Sequence, residues 1–398
     1  MVTEQIKTRV AELESFLVEF RRDLHRHPEF SMQEVRTSGR VAEVLEQHGI
    51  PYRRIGETGI AADITGGRPG PCILLRADMD ALSVTEETGL PYASETPGAM
   101  HACGHDCHTA MLLCAGIVLQ EIREELSGSV RLMFQPAEEI ARGAAAMVEG
   151  GALEGVDVCF GMHITPNYPL GTVGYSRGAT ASAASFFTID VNGKSGHGSA
   201  PQNAVDAIAA SAVMITSFQT LLSREIDPLK NAVVTVGKIE GGDRFNIIPG
   251  HVHMEGTART YYPEVFRHIE EMVKRVVSGV AKTYRCTAEV DYQNLTEVVE
   301  NDDAMTDLVL RASDRVLGEG VAIHTPPFTG SEDFCEFSSR RPSAFVWLGG
   351  GDPEAEEHYD HHHSRFCIDE RALKNGAALY AAVAAEYLAE RSCFGTTD

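Results

Sequence analysis

The stretch Met100–Leu112, MHACGHDCHTAML, places His101, Cys103, His105, Cys107 and His108 within eight residues. Thiolate and imidazole are the side chains that hold borderline-soft divalent metals. The apolar residues that follow, Met111, Leu112, Leu113 and Ile117, predict a helix starting at this cluster. A helix N-terminus lowers the pKa of a nearby thiol, so the pattern predicts a Cys103 thiolate before any metal arrives. The same residues also fit a buried cysteine with helix-capping histidines, so the cluster alone does not decide.

Other chemistry-bearing residues lie far along the chain. Glu138 and Glu139 follow FQPA. Adjacent side chains leaving an irregular loop point in different directions, so one can bind a metal while the other stays free as a base. Hydrolysis needs that division, because an activated water must lose its proton to a nearby carboxylate. His163 follows a short apolar run, and the tract His361–His363 lies in EEHYDHHHSRF. Neighbouring loop side chains diverge, so at most one or two of that tract can face a single point. Cys, His, Glu, His and a distal His are too many ligands for one tetrahedral structural zinc, and they fit two metals with open positions. A structural zinc would show paired C-x-x-C spacings, which are absent around Cys103 and Cys107. His197, in GKSGHG, could polarise a scissile carbonyl. Asn246, in GGDRFNIIPG, and Arg259, in GTART, could bind a substrate carboxylate or simply stabilise a strand and its loop. His25 and His27, in HRHPE, read as structural residues of a charged loop.

The elements that must position these residues follow from apolar runs. CILLR (72–76) leads to Asp78 and Asp80, VRLMF (130–134) to the glutamate pair, Val156–Phe160 to His163, and Ala344–Leu348 to three glycines. Buried strands that deliver polar residues at their carboxyl ends predict an open α/β sheet with its ligand site at that edge. Asp78 and Asp80 alone would also fit a turn and a helix cap. One helix is expected over residues 5–24, another over 38–47 and a closing one over 369–388. The texture changes near Ala181. Strands at 186–191, 232–239, 251–259 and 286–293, with helices at 204–222 and 263–281, make a β-α-β-β-α-β order, that of a ferredoxin-like unit. The expected organisation is a discontinuous catalytic domain, 1–181 and 298–398, with an α+β domain inserted at 182–297.

Composition sets outer limits. The chain has 398 residues and a net charge of −23, which disfavours nucleic acid and anionic membrane as partners. Nine cysteines, an odd number in a long chain, argue against a secreted disulfide framework and for a reducing, cytoplasmic setting. Cys72, Cys114 and Cys159 sit in apolar runs and read as core. The amphipathic N-terminus lacks a signal peptide's apolar region, and no run of about 18 apolar residues predicts a membrane span.

The motifs RRDLHRHPE, LLRADMDAL, TGLPYAS, MHACGHDCHTAML, FQPAEE, GMH, GKSGHGSAP, NIIPG, GTART, GSEDF and HHHSRF occur in one order along nearly the whole chain. In this the chain resembles the metal-dependent N-acyl-amino-acid amidohydrolases, which include hippurate hydrolases, bacterial aminoacylases and auxin-conjugate hydrolases, relatives of carboxypeptidase G. The resemblance implies a zinc-peptidase-like catalytic domain and a pair of divalent ions (Zn, Mn, Co or Ni) held by Cys103, His105, Glu139, His163 and His363. It implies Glu138 as general base and acid, His197 reaching the substrate from its own or a neighbouring subunit, Asp80 behind the ligands, and a homodimer formed through the insertion. Cys103, Glu139 and His363 should then share one centre. The substrate would be an N-acyl amino acid. A dipeptide or an N-carbamoyl amino acid on the same scaffold is the alternative, and a metal-binding structural protein or a thiol redox protein would be rivals of another class. Gln202 stands where many relatives carry a histidine, 179–185 lacks an acidic residue often found there, and Arg244 stands where small residues are common; these departures bear on substrate choice.

Overall fold

Apolar β-branched and aliphatic runs, each too short for a helix, build the centre of the molecule. In the computed structural model, which describes residues 2–355 and 357–392, they form an eight-stranded mixed sheet. Its order is Tyr52–Ile55, Gly59–Thr65, Ser127–Gln135, Arg68–Asp78, Val158–Pro169, Ser343–Gly351, Val173–Tyr175 and Ala322–His324. The four strands from Ser127–Gln135 to Ser343–Gly351 run parallel, so their carboxyl ends share one edge. The short flanking strands escape the hydropathy pattern because they are brief or mixed in polarity, and two of them, Tyr52–Ile55 and Gly59–Thr65, pair antiparallel.

Helix His105–Glu121 is buried from His105 to Leu119, as an apolar run without a polar face requires. It lies against strand Arg68–Asp78 and helices Glu14–Arg26 and Arg371–Ser392. The single N-terminal helix expected from periodicity is instead two, Val2–Glu12 and Glu14–Arg26. Leu13, at φ −89° and ψ 2°, turns the chain between them with no proline or glycine to announce it.

The chain divides into two compact units, one of 1–180, 300–326 and 333–398, the other of 181–299 and 327–332. The second has an antiparallel sheet in the order Ala232–Gly241, His251–Thr260, Ala183–Asn192, Thr287–Thr296. Alternate residues of His251–Thr260 point into a core with Phe187, Ile189, Met214, Phe218, Ile269 and Val273, on which helices Ala207–Arg224 and Pro263–Tyr284 pack. This is the ferredoxin-like order. Segment 327–332 joins it because Phe328 bridges to Ala181 and the Ser182 amide donates to the Gly330 carbonyl, a pairing that no local pattern announces.

All eight described cysteines are free, and Cys72, Cys114 and Cys159 are buried; Cys393 lies outside the described residues. Among the described residues no helix is long and apolar enough to cross a membrane.

Candidate active site

In the first unit, the parallel edge of the sheet gathers the residues singled out above. Strand Arg68–Asp78 leads to Asp80, strand Ser127–Gln135 to Glu138 and Glu139, and strand Val158–Pro169 carries His163. Between them, helix His105–Glu121 opens on Gly104 at φ +84°. A Cβ there would stand 2.7 Å from Ile164 Cγ2, so only glycine lets Cys103 and His105 flank this turn.

Asp80 holds the site together. Its Oδ1 accepts from His105 Nδ1 and from the Glu138 amide, each at 3.2 Å. Its Oδ2 accepts from the Glu139 amide at 3.1 Å and the Ser31 hydroxyl at 2.6 Å. Buried Glu34 adds a further hold on the glutamate loop by accepting from the Ala137 amide at 2.9 Å. Ala137 and Ala141 take positive φ of 55° and 52°, a costly backbone that persists because these bonds over-determine it.

Each imidazole turns one nitrogen inward. His105 gives Nδ1–H to Asp80, so Nε2 faces the glutamates, 4.0 Å from Glu138 Oε2 and 3.9 Å from Glu139 Oε1. His163 gives Nδ1–H to the Ile164 carbonyl at 2.8 Å, so its Nε2 faces Cys103 Sγ at 3.3 Å. Such a partner behind a histidine sets the tautomer a metal needs. His362 Nε2 lies 3.5 Å from Glu139 Oε2. Ligand atoms of Cys103, His105 and His163 all lie within 4.8 Å of one another, as do those of Cys103, Glu139 and His362, and those of His105, Glu138 and Glu139. These sets overlap at Cys103, His105 and Glu139, an arrangement suited to two ions and not one. Asp78, His105 and His108 meet the same distance. They are excluded chemically, because Asp78 is taken by Arg76 and His108, both at 2.6 Å, and His108 Nε2 accepts from the Ile164 amide.

The donor set fits a cation. His105 Nε2 and Glu139 Oε1 are buried without a hydrogen-bond partner. An orphaned buried polar atom costs about 1–3 kcal/mol, which a shared divalent ion would relieve. Burial pushes the His105 pKa down, but the Asp78 charge and the Asp80 hydrogen bond outweigh it and hold the ring well above its usual value. His163 is held well below its usual value by burial and by His108 and His361.

Two expectations are corrected here. Cys103 is not a ready-made thiolate: burial, with the Glu139 charge beside it, pushes its pKa well above the usual thiol value. The thiol precedes the helix and is buried, so desolvation outweighs the helix terminus. The second concerns geometry: it is His362, and not His363, that the structure brings to Glu139 and Cys103. The His362 amide donates to the Ala102 carbonyl at 2.8 Å, and a positive φ of 67° turns the residue toward Glu139. His363 instead stacks on Tyr359 at 4.7 Å between ring centroids, and its Nδ1 accepts from the Arg365 amide. His361 turns inward elsewhere, onto the Ile164 carbonyl at 2.9 Å. The motif begins at Glu356, which lies outside the described residues.

The second unit positions His197, Asn246 and Arg259. His197 is exposed and its Nδ1 accepts from the Ser199 amide at 3.1 Å, which leaves the ring proton on Nε2. Asn246 is exposed, and its carbonyl accepts from the Gly198 amide at 2.8 Å, so the two loops are neighbours. Arg259 is half-buried, its Nη1 has no partner, and burial alone lowers its pKa, with no acidic group opposing. Sequence reasoning missed His25, which is 1% exposed in the last turn of helix Glu14–Arg26, and not in a loop. Apolar periodicity stops at residue 24, two residues before the helix end observed at Arg26.

Residues 74–386 match the family described as Peptidase family M20/M25/M40. The chain is 40% identical over 370 residues to N-acetylcysteine deacetylase of Bacillus subtilis (strain 168), covering 92% of this chain and 96% of that protein. It is 38% identical over 380 residues to IAA-amino acid hydrolase ILR1-like 4 of Arabidopsis thaliana, covering 94% and 86%. The crystal structure of the Bacillus subtilis YXEP protein, described as a dinuclear metal binding peptidase from the M20 family, superposes with a TM-score of 0.84 at 36% identity, covering 95% of this chain and 99% of that one. With three overlapping ligand sets at the sheet edge and a match along most of its length, the chain belongs to peptidase family M20/M25/M40 and is a metal-dependent amidohydrolase.

Proposed function

We propose that the protein hydrolyses the amide bond of N-acyl amino acids, releasing a carboxylic acid and a free amino acid. The observation that carries this reading is the divided glutamate pair. Glu139 belongs to a ligand set with Cys103 and His362, and its neighbour Glu138 leaves the same Asp80-held loop with Oε2 4.0 Å from His105 Nε2. Two divalent ions (zinc, manganese, cobalt or nickel) would be held by Cys103, His105, Glu139, His163 and His362. Bound there, they supply Lewis acidity that polarises a carbonyl and acidifies a water.

Glu138 takes a proton from the attacking water as its oxygen bonds to the acyl carbon. It then delivers that proton to the amide nitrogen as the C–N bond breaks, so the base returns to its starting form. His197, with its proton on Nε2, donates to the carbonyl oxygen as charge builds there. Arg259, a half-buried cation without an acidic partner among the described residues, receives the substrate carboxylate, with Asn246 assisting. The relatives named for N-acetylcysteine and for IAA-amino acids point to the same substrate class. The insertion serves as lid and dimer interface: strand Ala232–Gly241 lies at a sheet edge and exposes Val233 and Ile239. Free thiols suit a cytoplasmic setting.

The test is apo-protein reconstituted with each of the four metals and offered acetyl, benzoyl, indole-acetyl, carbamoyl and dipeptide substrates. N-acyl amino acids should be turned over best, and preference for dipeptides or carbamoyl compounds would overturn the substrate reading. Glu138→Gln should lose about 10²–10⁴ in turnover. Near-normal turnover with both ions bound would refute its role.

A further inference from the structure

Two motifs have no part in the chemistry above, RRDLHRHPE and TGLPYAS, and the structure brings them together under the ligands. We infer that His25 is a positioning residue that joins two of the chain segments supplying metal ligands, the start of helix His105–Glu121 and the loop carrying His362. The inference rests on the ligand assignment proposed above.

Both nitrogens of the buried His25 ring meet carboxylates from distant parts of the chain. Nδ1 donates to Asp106 Oδ2 at 2.7 Å, and Nε2 lies 3.4 Å from Glu86 Oε1. Asp106 adjoins His105 in the first helical turn and is completely buried. It also pairs with Arg21 Nε at 2.7 Å. Holding Asp106 therefore sets the position of the turn from which Cys103 and His105 project.

Glu86 starts the other arm. Its Oε2 accepts from the Ser94 amide at 2.7 Å, closing loop 86–94, and Arg21 and Arg22 stack over Tyr92 of that loop at 5.0 and 4.7 Å. The next residue, Glu87, is bonded twice to Ser364, two places beyond His362. The Glu87 amide donates to the Ser364 carbonyl at 2.8 Å, and the Ser364 hydroxyl donates to Glu87 Oε2 at 2.6 Å. So a short path, His25–Glu86–Glu87–Ser364, reaches the exposed distal ligand, whose side chain has 57% of its surface open and little packing of its own. His25 touches no ligand atom and acts only through these two arms.

A residue that merely stabilises the N-terminal helix would lower the melting temperature and leave the folded protein's metal affinity alone. The experiment therefore titrates cobalt(II) into folded apo-protein, by calorimetry and by the thiolate-to-cobalt absorption band, for His25→Phe, His25→Gln and Glu86→Gln. His25→Phe should weaken cobalt binding by about tenfold, the lower end of what losing a ligand's own hydrogen-bond partner costs, because His25 acts one residue further out. His25→Gln, which keeps one donor, should recover part of this. Should His25→Phe fail to fold, Glu86→Gln decides, since it cuts only the arm toward His362 and should weaken one cobalt equivalent by tenfold or more. Wild-type affinity in the folded variants would overturn the inference. His362→Ala is the control that separates it from the ligand assignment. If that variant loses an ion while His25 and Glu86 variants do not, the positioning role alone fails. If His362→Ala keeps both ions, the ligand assignment fails.

Discussion

Replacing His362 by alanine should strip the centre of a ligand, while replacing His363 should leave it intact. His362 Nε2 stands 3.5 Å from Glu139 Oε2, in one set with Cys103 Sγ. His363 is spent on Tyr359 and the Arg365 amide. Groups that only stand behind a ligand cost about 10–100-fold in metal affinity when removed. Losing the ligand itself should therefore cost at least about 1.4–2.7 kcal/mol of binding to the weaker ion. His363→Ala removes a ring stack worth about 0.5–1.5 kcal/mol, and at this exposed position the lower figure applies. The assay is metal content after passage through a metal-free column, with calorimetric titration of the apo-proteins and thermal melts alongside. His362→Ala should retain close to one ion per chain and need far more metal for activity. His363→Ala should retain two and melt within a few degrees of wild type. Loss of an ion from His363→Ala, with full loading of His362→Ala, would refute the geometry.

Three further outcomes follow from the same structure. Asp80→Asn should weaken metal binding by about 10–100-fold, because one carboxylate orients His105 and holds both glutamate amides; unchanged calorimetric affinity would count against it. Gly104→Ala should destabilise the protein by roughly 2–4 kcal/mol in a denaturant titration, through left-handed strain and a clash with Ile164 Cγ2 at 2.7 Å; a melt like wild type would show the turn relaxes freely. Burial holds the His101 pKa down at about 4, against 6.5 when exposed. The unfolded chain then takes a proton the folded one refuses, so this contribution is complete above pH 6.5 and falls away toward pH 4. The loss amounts to about 3 kcal/mol, at about 1.36 kcal/mol per unit. Apo His101→Phe should show a flatter decline of stability across that range, and an equal slope would refute the assignment.

Much of this architecture is written in short-range pattern. CILLR and VRLMF are buried strands because each is apolar apart from one arginine, and the acids beyond them sit at carboxyl ends because the strands run parallel. The β-α-β-β-α-β order likewise dictates the sheet of the second unit. What pattern cannot supply is which of several like residues turns inward. Three consecutive histidines are equivalent in composition. They are told apart by the Ala102 carbonyl, which catches the His362 amide from some 260 positions away in the chain, and by a backbone angle that only such tethering sustains. The glutamate pair poses the same problem, and here the structure offers a local constraint. Asp80 accepts both amides on one carboxylate, so the two side chains must leave the loop in different directions whichever does what. Cys103 and His25 fail for the opposite reason. Helix-end electrostatics and a charged-loop reading are local arguments, and both are overruled by burial among partners contributed by distant parts of the chain. Misreadings therefore fall where identity of side chain is degenerate or where solvent exposure is set by distant chain, and those are also the positions at which a single substitution should separate a ligand from its neighbour.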